Sequence, residues 1–229
     1  MIINPKVYKH LEEYRRNWQQ DQIVTIRDLL IESDANHLNH YLLNVSEDRW
    51  TYSIHPYMEN NYVFDNNDEN KEHIINGIIS ANAAYQRGEF SYVFRRFEGY
   101  ESDGITIKEF LLSAQFLNLL HQITNLSFTD IVSTFGSCYH HDCWLSIHSD
   151  NSRGQIAYVY NLTKDWKEEY GGNFELLFND YCSVKRKVLS QFNTYTFFDV
   201  SGPHGNPHHV QRVRSDVIEK RIAFSGWLV

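Results

Sequence analysis

The chain places His148-Ser-Asp150 ahead of a second histidine-bearing run, His208-His-Val-Gln-Arg-Val213, and closes on Arg221 with Trp227 in the same apolar segment. Two imidazoles and one carboxylate are the ligand set that grips a divalent metal from one side and leaves coordination positions open, as in non-haem Fe(II) sites. His148 and Asp150 lie two positions apart. Side chains at i and i+2 of a strand share a face, so one strand end presents both to a single ion. The third ligand must come from a distant strand returning to the same mouth, and His204, His208 and His209 are the candidates. His208 is the best placed, because it opens a run mixing valines with polar residues, and with Val210 on its face His209 points the other way. His204 sits in Ser-Gly-Pro-His-Gly-Asn-Pro, a turn less suited to fixed geometry. The same ligand types also hold zinc in hydrolases, so they do not choose the metal by themselves.

Arg221 adds a second chemistry. Within Arg221-Ile-Ala-Phe-Ser-Gly-Trp227-Leu it belongs to an apolar segment, where a buried guanidinium is costly unless it meets an anion. Its planar fork pairs bidentately with a carboxylate, either that of a structural acid or that of a small acidic ligand.

These residues need a scaffold. With 229 residues, 42% of them hydrophobic and 15% aromatic, the chain is long enough for one domain with a sizeable core. Fourteen Phe, fifteen Tyr and five Trp favour a β-rich interior. The formal charge of −8 argues against nucleic acid as a partner. Cys138, Cys143 and Cys182 suit neither a disulfide framework nor the usual C-x2-C zinc spacing, and read as buried or free thiols. No run approaches roughly 18 consecutive apolar residues, so no membrane span is expected. The start has no signal-peptide pattern, which makes the cytoplasm the expected location.

The first half, 1–127, reads mainly as helical support. Val7, Leu11, Tyr14 and Trp18 recur at helical spacing between Pro5 and Gln19, and Gln22–Ile26 is a short β-branched strand. Ser33 or Asp34 is expected to cap a helix burying Leu38, Tyr41, Leu42 and Val45. Asn60–Asn70 reads as an acidic loop, and Ile74, Ile75, Ile78, Ile79 and Tyr85 as a third helical stripe. Thr106-Ile-Lys-Glu109 has capping-box form ahead of Phe110, Ala114, Leu117 and His121. From 128 to 229 eight short runs alternate with polar turns: Ile131–Tyr139, Trp144–His148, Gln155–Leu162, Asn173–Phe178, Lys187–Ser190, Thr194–Val200, His209–Val213 and Arg221–Val229. Such spacing predicts a mainly β jelly roll with supporting helices, an α+β single domain.

Over roughly Phe90–Val229 the chain resembles the prolyl 4-hydroxylase-like Fe(II)/2-oxoglutarate dioxygenases. The likeness is carried by His148-Ser-Asp150-Asn-Ser-Arg153, by Ala157-Tyr-Val-Tyr-Asn161-Leu-Thr-Lys-Asp-Trp166 and by Gly171-Gly-Asn-Phe-Glu-Leu176. His208-His-Val210 follows, and then Arg221 with Trp227, all in the family's order. Phe90–Phe94 with Arg95 and Arg96 resembles its entry strand. The resemblance implies a double-stranded β-helix, with iron held by His148, Asp150 and His208. It implies that Arg221 binds the distal carboxylate of 2-oxoglutarate, that Tyr139 matches a tyrosine that bonds this cosubstrate, and that O2 is the oxidant. Asn161 stands where some relatives have Tyr, and its amide is expected at the cosubstrate. The turn His140-His-Asp-Cys-Trp144 is bulkier than in relatives and is expected to shape the substrate site. A carboxylate at position 150, where halogenating relatives have a small residue, points to hydroxylation.

The implied reaction converts 2-oxoglutarate to succinate and CO2 while an unactivated C–H bond gains a hydroxyl. A prolyl or other amino-acid residue, or a free amino acid, is the expected substrate, small-molecule or peptidyl. The acidic stretch Asp65–Glu69 and the Arg95-Arg96 pair are candidates for the entrance. Two rival readings stand beside this: a zinc-dependent hydrolase on the same triad, and a non-catalytic jelly-roll binding module.

Overall fold

The computed structural model describes residues 1–57, 60–150, 153–202 and 206–229. Five α-helices lie in this order: α1 (Leu11–Asp21), α2 (Glu32–Asn44), α3 (Lys71–Gln86), α4 (Ile107–Leu111) and α5 (Ala114–Thr124). The strands before residue 128 are β1 (Ile23–Arg27), β2 (Thr51–Tyr57), β3 (Asn60–Asp65) and β4 (Tyr92–Phe97). After it come β5 (Ile131–Tyr139), β6 (Trp144–His148), β7 (Ile156–Asn161), β8 (Phe174–Leu177), β9 (Val184–Val188), β10 (Thr194–Asp199), β11 (His208–Val210) and β12 (Arg221–Leu228).

All recorded pairings are antiparallel. The order β1-β10-β7-β12-β5-β4-β6-β11-β8-β9 curls into a nearly closed jelly roll, with β2 and β3 extending the sheet beside β4. β4 makes the turn of the roll, pairing β5 through Arg95–Phe97 and β6 through Tyr92 and Val93.

Strand alternation divides the two faces. On β7, Ile156, Tyr158 and Tyr160 join the outer core, as do Ile222, Phe224 and Leu228 of β12. That core is closed by helices: Trp18 of α1 packs on Phe197 at 5.6 Å, and Phe116 of α5 meets Tyr195 edge-on at 5.3 Å. Each large side chain removed from water here contributes about 1.5–3 kcal/mol. The opposite face of β7 and β12 carries Ala157, Val159 and Asn161 beside Trp227, Ser225 and Ala223 in register. It faces the interior of the roll.

Several expectations are corrected. Besides the expected strands at β1 and β4, the first half adds β2 and β3 to the sheet, and the expected loop at Asn60–Asn70 begins as β3, paired to β2 from Asp65 to Asn60. The aromatic and β-branched residues Tyr62, Val63 and Phe64 outweigh the acidic composition of the stretch. Neither Ser33 nor Asp34 caps α2, which begins at Glu32; Asp34 instead accepts a hydrogen bond from the Ile2 N–H at 2.6 Å. The helix expected at Thr106 is two helices. Thr106 makes no capping bond, because its backbone is not extended, while Ser113 caps α5 by accepting from Phe116 N–H at 3.3 Å.

On α3 the buried residues are Ile74, Gly77, Ala81 and Ala84, while Ile75 and Ile79 are exposed. Ile74 and Ile78 pack on the core, and small residues let this helix lie close on the sheet, so its inner face runs along Gly77, Ala81 and Ala84 and leaves Ile75 and Ile79 outside. In the second half every expected run holds a strand; two differ by more than a residue at an end, β9 at Val184–Val188 and β11 at His208–Val210.

Gly226 sets how closely β12 and β5 approach. A Cβ there would meet the Ser133 carbonyl oxygen at 2.0 Å and the Tyr158 hydroxyl at 2.8 Å. The Gly226→Ala variant is expected to lose stability at or beyond the upper end of about 1–3 kcal/mol, the usual penalty for overpacking. Urea unfolding reads this directly, and an unchanged midpoint would contradict the contact.

Candidate metal and anion site

His148 ends β6 and His208 begins β11, and the two are register partners across that pair of strands. Asp150 follows two residues after His148, buried beneath Trp227. The metal-ligating atoms of His148, Asp150 and His208 all lie within 4.8 Å of one another. Each imidazole turns its Nε2 to the carboxylate, at 3.5 Å to Oδ1 for His148 and 3.5 Å to Oδ2 for His208.

The far nitrogens settle the tautomers. His148 Nδ1 donates to the Ser146 carbonyl at 3.0 Å, and His208 Nδ1 donates to the Asn206 carbonyl at 2.8 Å. With the protons held there, both Nε2 lone pairs point inward. Three acceptors thus converge on one point, and only a cation, a proton or a metal ion, can sit among them. Burial works to raise the Asp150 pKa, but hydrogen bonds and charge from His148 and His208, when a proton takes the inner position on those rings, prevail and hold it far below the usual carboxylate range. Burial, followed by the neighbouring His148 ring, lowers the pKa of His208 and favours the neutral ligand form. Phe198 at 4.7 Å and Phe174 at 5.5 Å wall in the His208 ring. The triad fits a metal site.

Trp227 was legible as a motif residue, but its contact was not. Its indole Nε1 donates to Asp150 Oδ2 at 3.0 Å and so orients the carboxylate. Arg221 and Trp227 share a strand and a parity, which places both on the inner face.

The triad lines a cavity of about 330 Å³ that also contains Tyr139 and Arg221. Arg221 is 2% exposed, and among the described residues no carboxylate pairs with it. Its Nη2 donates to Asn161 Oδ1 at 3.2 Å, its Cζ sits 4.9 Å from the Tyr139 ring centroid, and its Nε and Nη1 are buried without an acceptor. Burial lowers its pKa, yet an arginine remains charged at neutral pH. An unsatisfied buried donor costs about 1–3 kcal/mol, and more when charged. A bound anion supplies the missing acceptors. Tyr139 stacks on Phe94 at 5.4 Å and forms the floor beneath the guanidinium; burial raises its pKa.

Of the other third-ligand candidates, His209 turns outward, with Nε2 at 2.8 Å from Glu175 Oε2. His204 lies outside the described residues. The His140–Trp144 turn does not line the cavity: Trp144 is buried beneath Tyr85 of α3 at 5.1 Å. Of the arginine pair, Arg96 faces the cavity, whereas Arg95 turns outward to Glu47 and the Tyr52 hydroxyl, as strand alternation requires. The Asp65–Glu69 stretch is absent from the cavity lining. Cys138 and Cys143 are buried, their thiols pushed up to about 11 and about 12 by burial, and Cys182 is exposed. Among the described residues no helix is long and apolar enough to cross a membrane.

Residues 134–229 match the 2OG-Fe(II) oxygenase superfamily. That span holds the triad, Tyr139, Asn161 and Arg221. No curated protein matches the sequence. Among solved structures, the chain is similar to a Pseudomonas putida prolyl-4-hydroxylase, with TM-score 0.58 and 13% identity over 95% of this chain and 97% of that one. It is similar to a Trichoplax adhaerens prolyl hydroxylase in complex with a hypoxia inducible factor oxygen degradation domain peptide fragment, with TM-score 0.61 and 17% identity over 97% and 91%. It is also similar to SnoN, a non-heme alpha ketoglutarate dependent epimerase of nogalamycin biosynthesis, with TM-score 0.59 and 10% identity over 95% and 81%. At these identities the likeness is one of fold.

Two measurements follow from this geometry. Trp227→Phe keeps the ring but removes the donor to Asp150, and metal affinity is expected to fall about 10- to 100-fold in anaerobic calorimetry; an unchanged affinity would separate the indole from the site. His140, beside the site at the end of β5, has its pKa lowered by burial from an ordinary 6.5 to about 4, and its Nε2 is buried without a partner. The unfolded chain binds that proton more readily. The stability the neutral ring contributes is therefore complete above pH 6.5 and is lost as pH falls through about 4. His140→Gln is expected to flatten the stability profile over that window.

Proposed function

We propose that this protein is an Fe(II)- and 2-oxoglutarate-dependent dioxygenase that hydroxylates an unactivated C–H bond of an amino acid, free or within a peptide, with a prolyl residue first among them. One observation carries the reading: three converging acceptors and a buried guanidinium with two unpaired donors line the same cavity. The superfamily match over residues 134–229 supports it, as does the fold shared with two prolyl hydroxylases.

In this reading His148, Asp150 and His208 hold the iron, and the unpaired Nε and Nη1 of Arg221 receive the distal carboxylate of 2-oxoglutarate. Asn161, through its Oδ1, fixes the fork from behind rather than bonding the cosubstrate. Tyr139 closes the floor and excludes water beneath the charge. Bound together, iron, 2-oxoglutarate and O2 supply oxidising chemistry in which the cosubstrate becomes succinate and CO2 and the substrate gains a hydroxyl. Asp150 supplies the carboxylate ligand that favours hydroxyl over halide transfer.

The zinc-hydrolase alternative requires a general base beside the metal. Among the described residues lining the cavity, the imidazoles and carboxylate are those of the triad, which leaves no separate base. It also leaves Arg221 without a role.

The test is succinate formation by anaerobically prepared, Fe(II)-loaded protein supplied with O2 and 2-oxoglutarate, screened against amino acids and peptides with mass spectrometry for a hydroxylated product. Asp150→Ala and His208→Ala are expected to abolish turnover. Arg221→Ala is expected mainly to raise the KM for 2-oxoglutarate, by about ten-fold or more. Turnover without O2 or 2-oxoglutarate would overturn the proposal.

A further inference from the structure

Two more arginines line the cavity, and the proposed chemistry leaves them without a task. Arg96 projects inward from β4, and Arg153 follows Asp150 through a turn in which its N–H donates to the Asp150 carbonyl at 3.1 Å. Their guanidinium groups lie over adjoining aromatic rings. Arg96 Cζ is 3.9 Å from the centroid of Phe135, Arg153 Cζ is 5.1 Å from that of Trp227, and the two rings are 6.0 Å apart. Trp227 is the residue whose indole orients Asp150, so this plate adjoins the triad. The two arginines also line a second recess of about 450 Å³ that opens outward past Ser133 and Trp227.

The hydrogen bonding of the pair is incomplete. Arg96 Nη2 donates to Ser133 Oγ at 3.3 Å and lies 2.6 Å from Glu98 Oε1, while its Nε is buried without an acceptor. The Glu98 carboxylate is mostly in water, so it offsets the charge only weakly. Arg153 has no carboxylate partner among the described residues. Burial pushes the Tyr92 phenol up, and the charges of Arg153 and Arg96 partly offset this. Asp150 is the sole carboxylate among the described residues of the lining, against Arg96, Arg153 and Arg221. In a chain of net charge −8 this is a local reversal of sign. With Arg221 and the metal answered by the dianionic cosubstrate and Asp150, Arg153 still has no carboxylate among the described residues and Arg96 has only the largely solvated Glu98.

We propose that Arg96 and Arg153 form a carboxylate subsite and that the substrate is a free amino acid, held by its α-carboxylate against the Phe135–Trp227 plate. This rests on the dioxygenase reading and narrows it. Two forks on flat rings match the planar, bidentate geometry of a carboxylate and lose little freedom on binding. The cavity, about 330 Å³, is at the small end of ligand pockets, roughly 300–1,000 Å³, and must also take the cosubstrate. An internal peptide residue has no carboxylate of its own backbone to offer and would bring only neutral amides to the pair.

The experiment titrates L-amino acids, the corresponding amino-acid amides and the N-acetyl N-methylamides into anaerobic Fe(II) protein saturated with 2-oxoglutarate. Calorimetry and succinate release are read side by side. At least one free acid is expected to bind about ten-fold or more tightly than its amide and to stimulate turnover, with the doubly blocked form inert. In Arg153→Gln, and separately in Arg96→Gln, the acid-to-amide affinity ratio is expected to fall toward one. Arg153 is exposed, so its variant reads the subsite without loading the fold. Equal affinity for acid and amide, a blocked form as good as the acid, or a ratio unchanged in Arg153→Gln overturns the subsite. If no amino acid binds while 2-oxoglutarate still binds and turns over slowly, the carboxylate proposal fails and the dioxygenase reading stands; if 2-oxoglutarate itself fails to bind, the latter falls.

Discussion

Three electron-rich atoms pointed at one another repel, and this protein keeps them together by spending backbone carbonyls on the opposite side of each ring. The Ser146 and Asn206 carbonyls hold the Nδ1 protons, the Trp227 indole holds one oxygen of Asp150, and the convergence follows. The two carbonyls come from the same chain segments as the rings they hold, and the indole reaches Asp150 from β12, across the roll. The jelly roll matters because it brings β6 and β11 into register and lays β12 across the cavity from them.

Alternation along β7 and β12 separates two incompatible demands. The inner parity holds Arg221 and Asn161, which need polar company, while the outer parity holds Tyr158, Tyr160, Ile222 and Phe224, which need to be dry. A slip of one residue would exchange them. The helical layer fixes the register by giving the outer parity a well-packed partner surface. Thus α1, α2 and α5, far from the chemistry, determine which way the guanidinium points.

Much of this was legible in the residues. Helical spacing found Val7, Tyr14 and Trp18, and the runs after residue 128 found the strands, because alternation between buried and solvated faces leaves a direct mark on sequence. The i, i+2 argument brought His148 and Asp150 together, and parity separated His208 from His209. What failed had a local signal overridden by tertiary contact. Asn60–Asp65 looked like a loop by charge but pairs with β2; of the α3 isoleucines Ile74 and Ile78 face the core and Ile75 and Ile79 do not, because glycine and alanines make the closer contact; Thr106 had the letters of a cap without the backbone angles. Asn161 was expected at the cosubstrate; that its Oδ1 also accepts from Arg221 was not legible, because it depends on which amide atom faces the guanidinium. No sequence spacing could have shown that Arg221 lacks a protein acid or that Trp227 bonds Asp150, since both depend on strands remote in the chain.

Gly154 lies where the segment after Asp150 presses against the end of β12; an added Cβ would stand 2.7 Å from the Leu228 carbonyl. Arg153 and Asp150, three positions apart, are therefore held close to this anchor point. Lengthening the chain ahead of Gly154 would disturb Asp150, whereas the β2–β3 extension carries none of the triad. Diversification of this scaffold, natural or engineered, has its freest route along that flank.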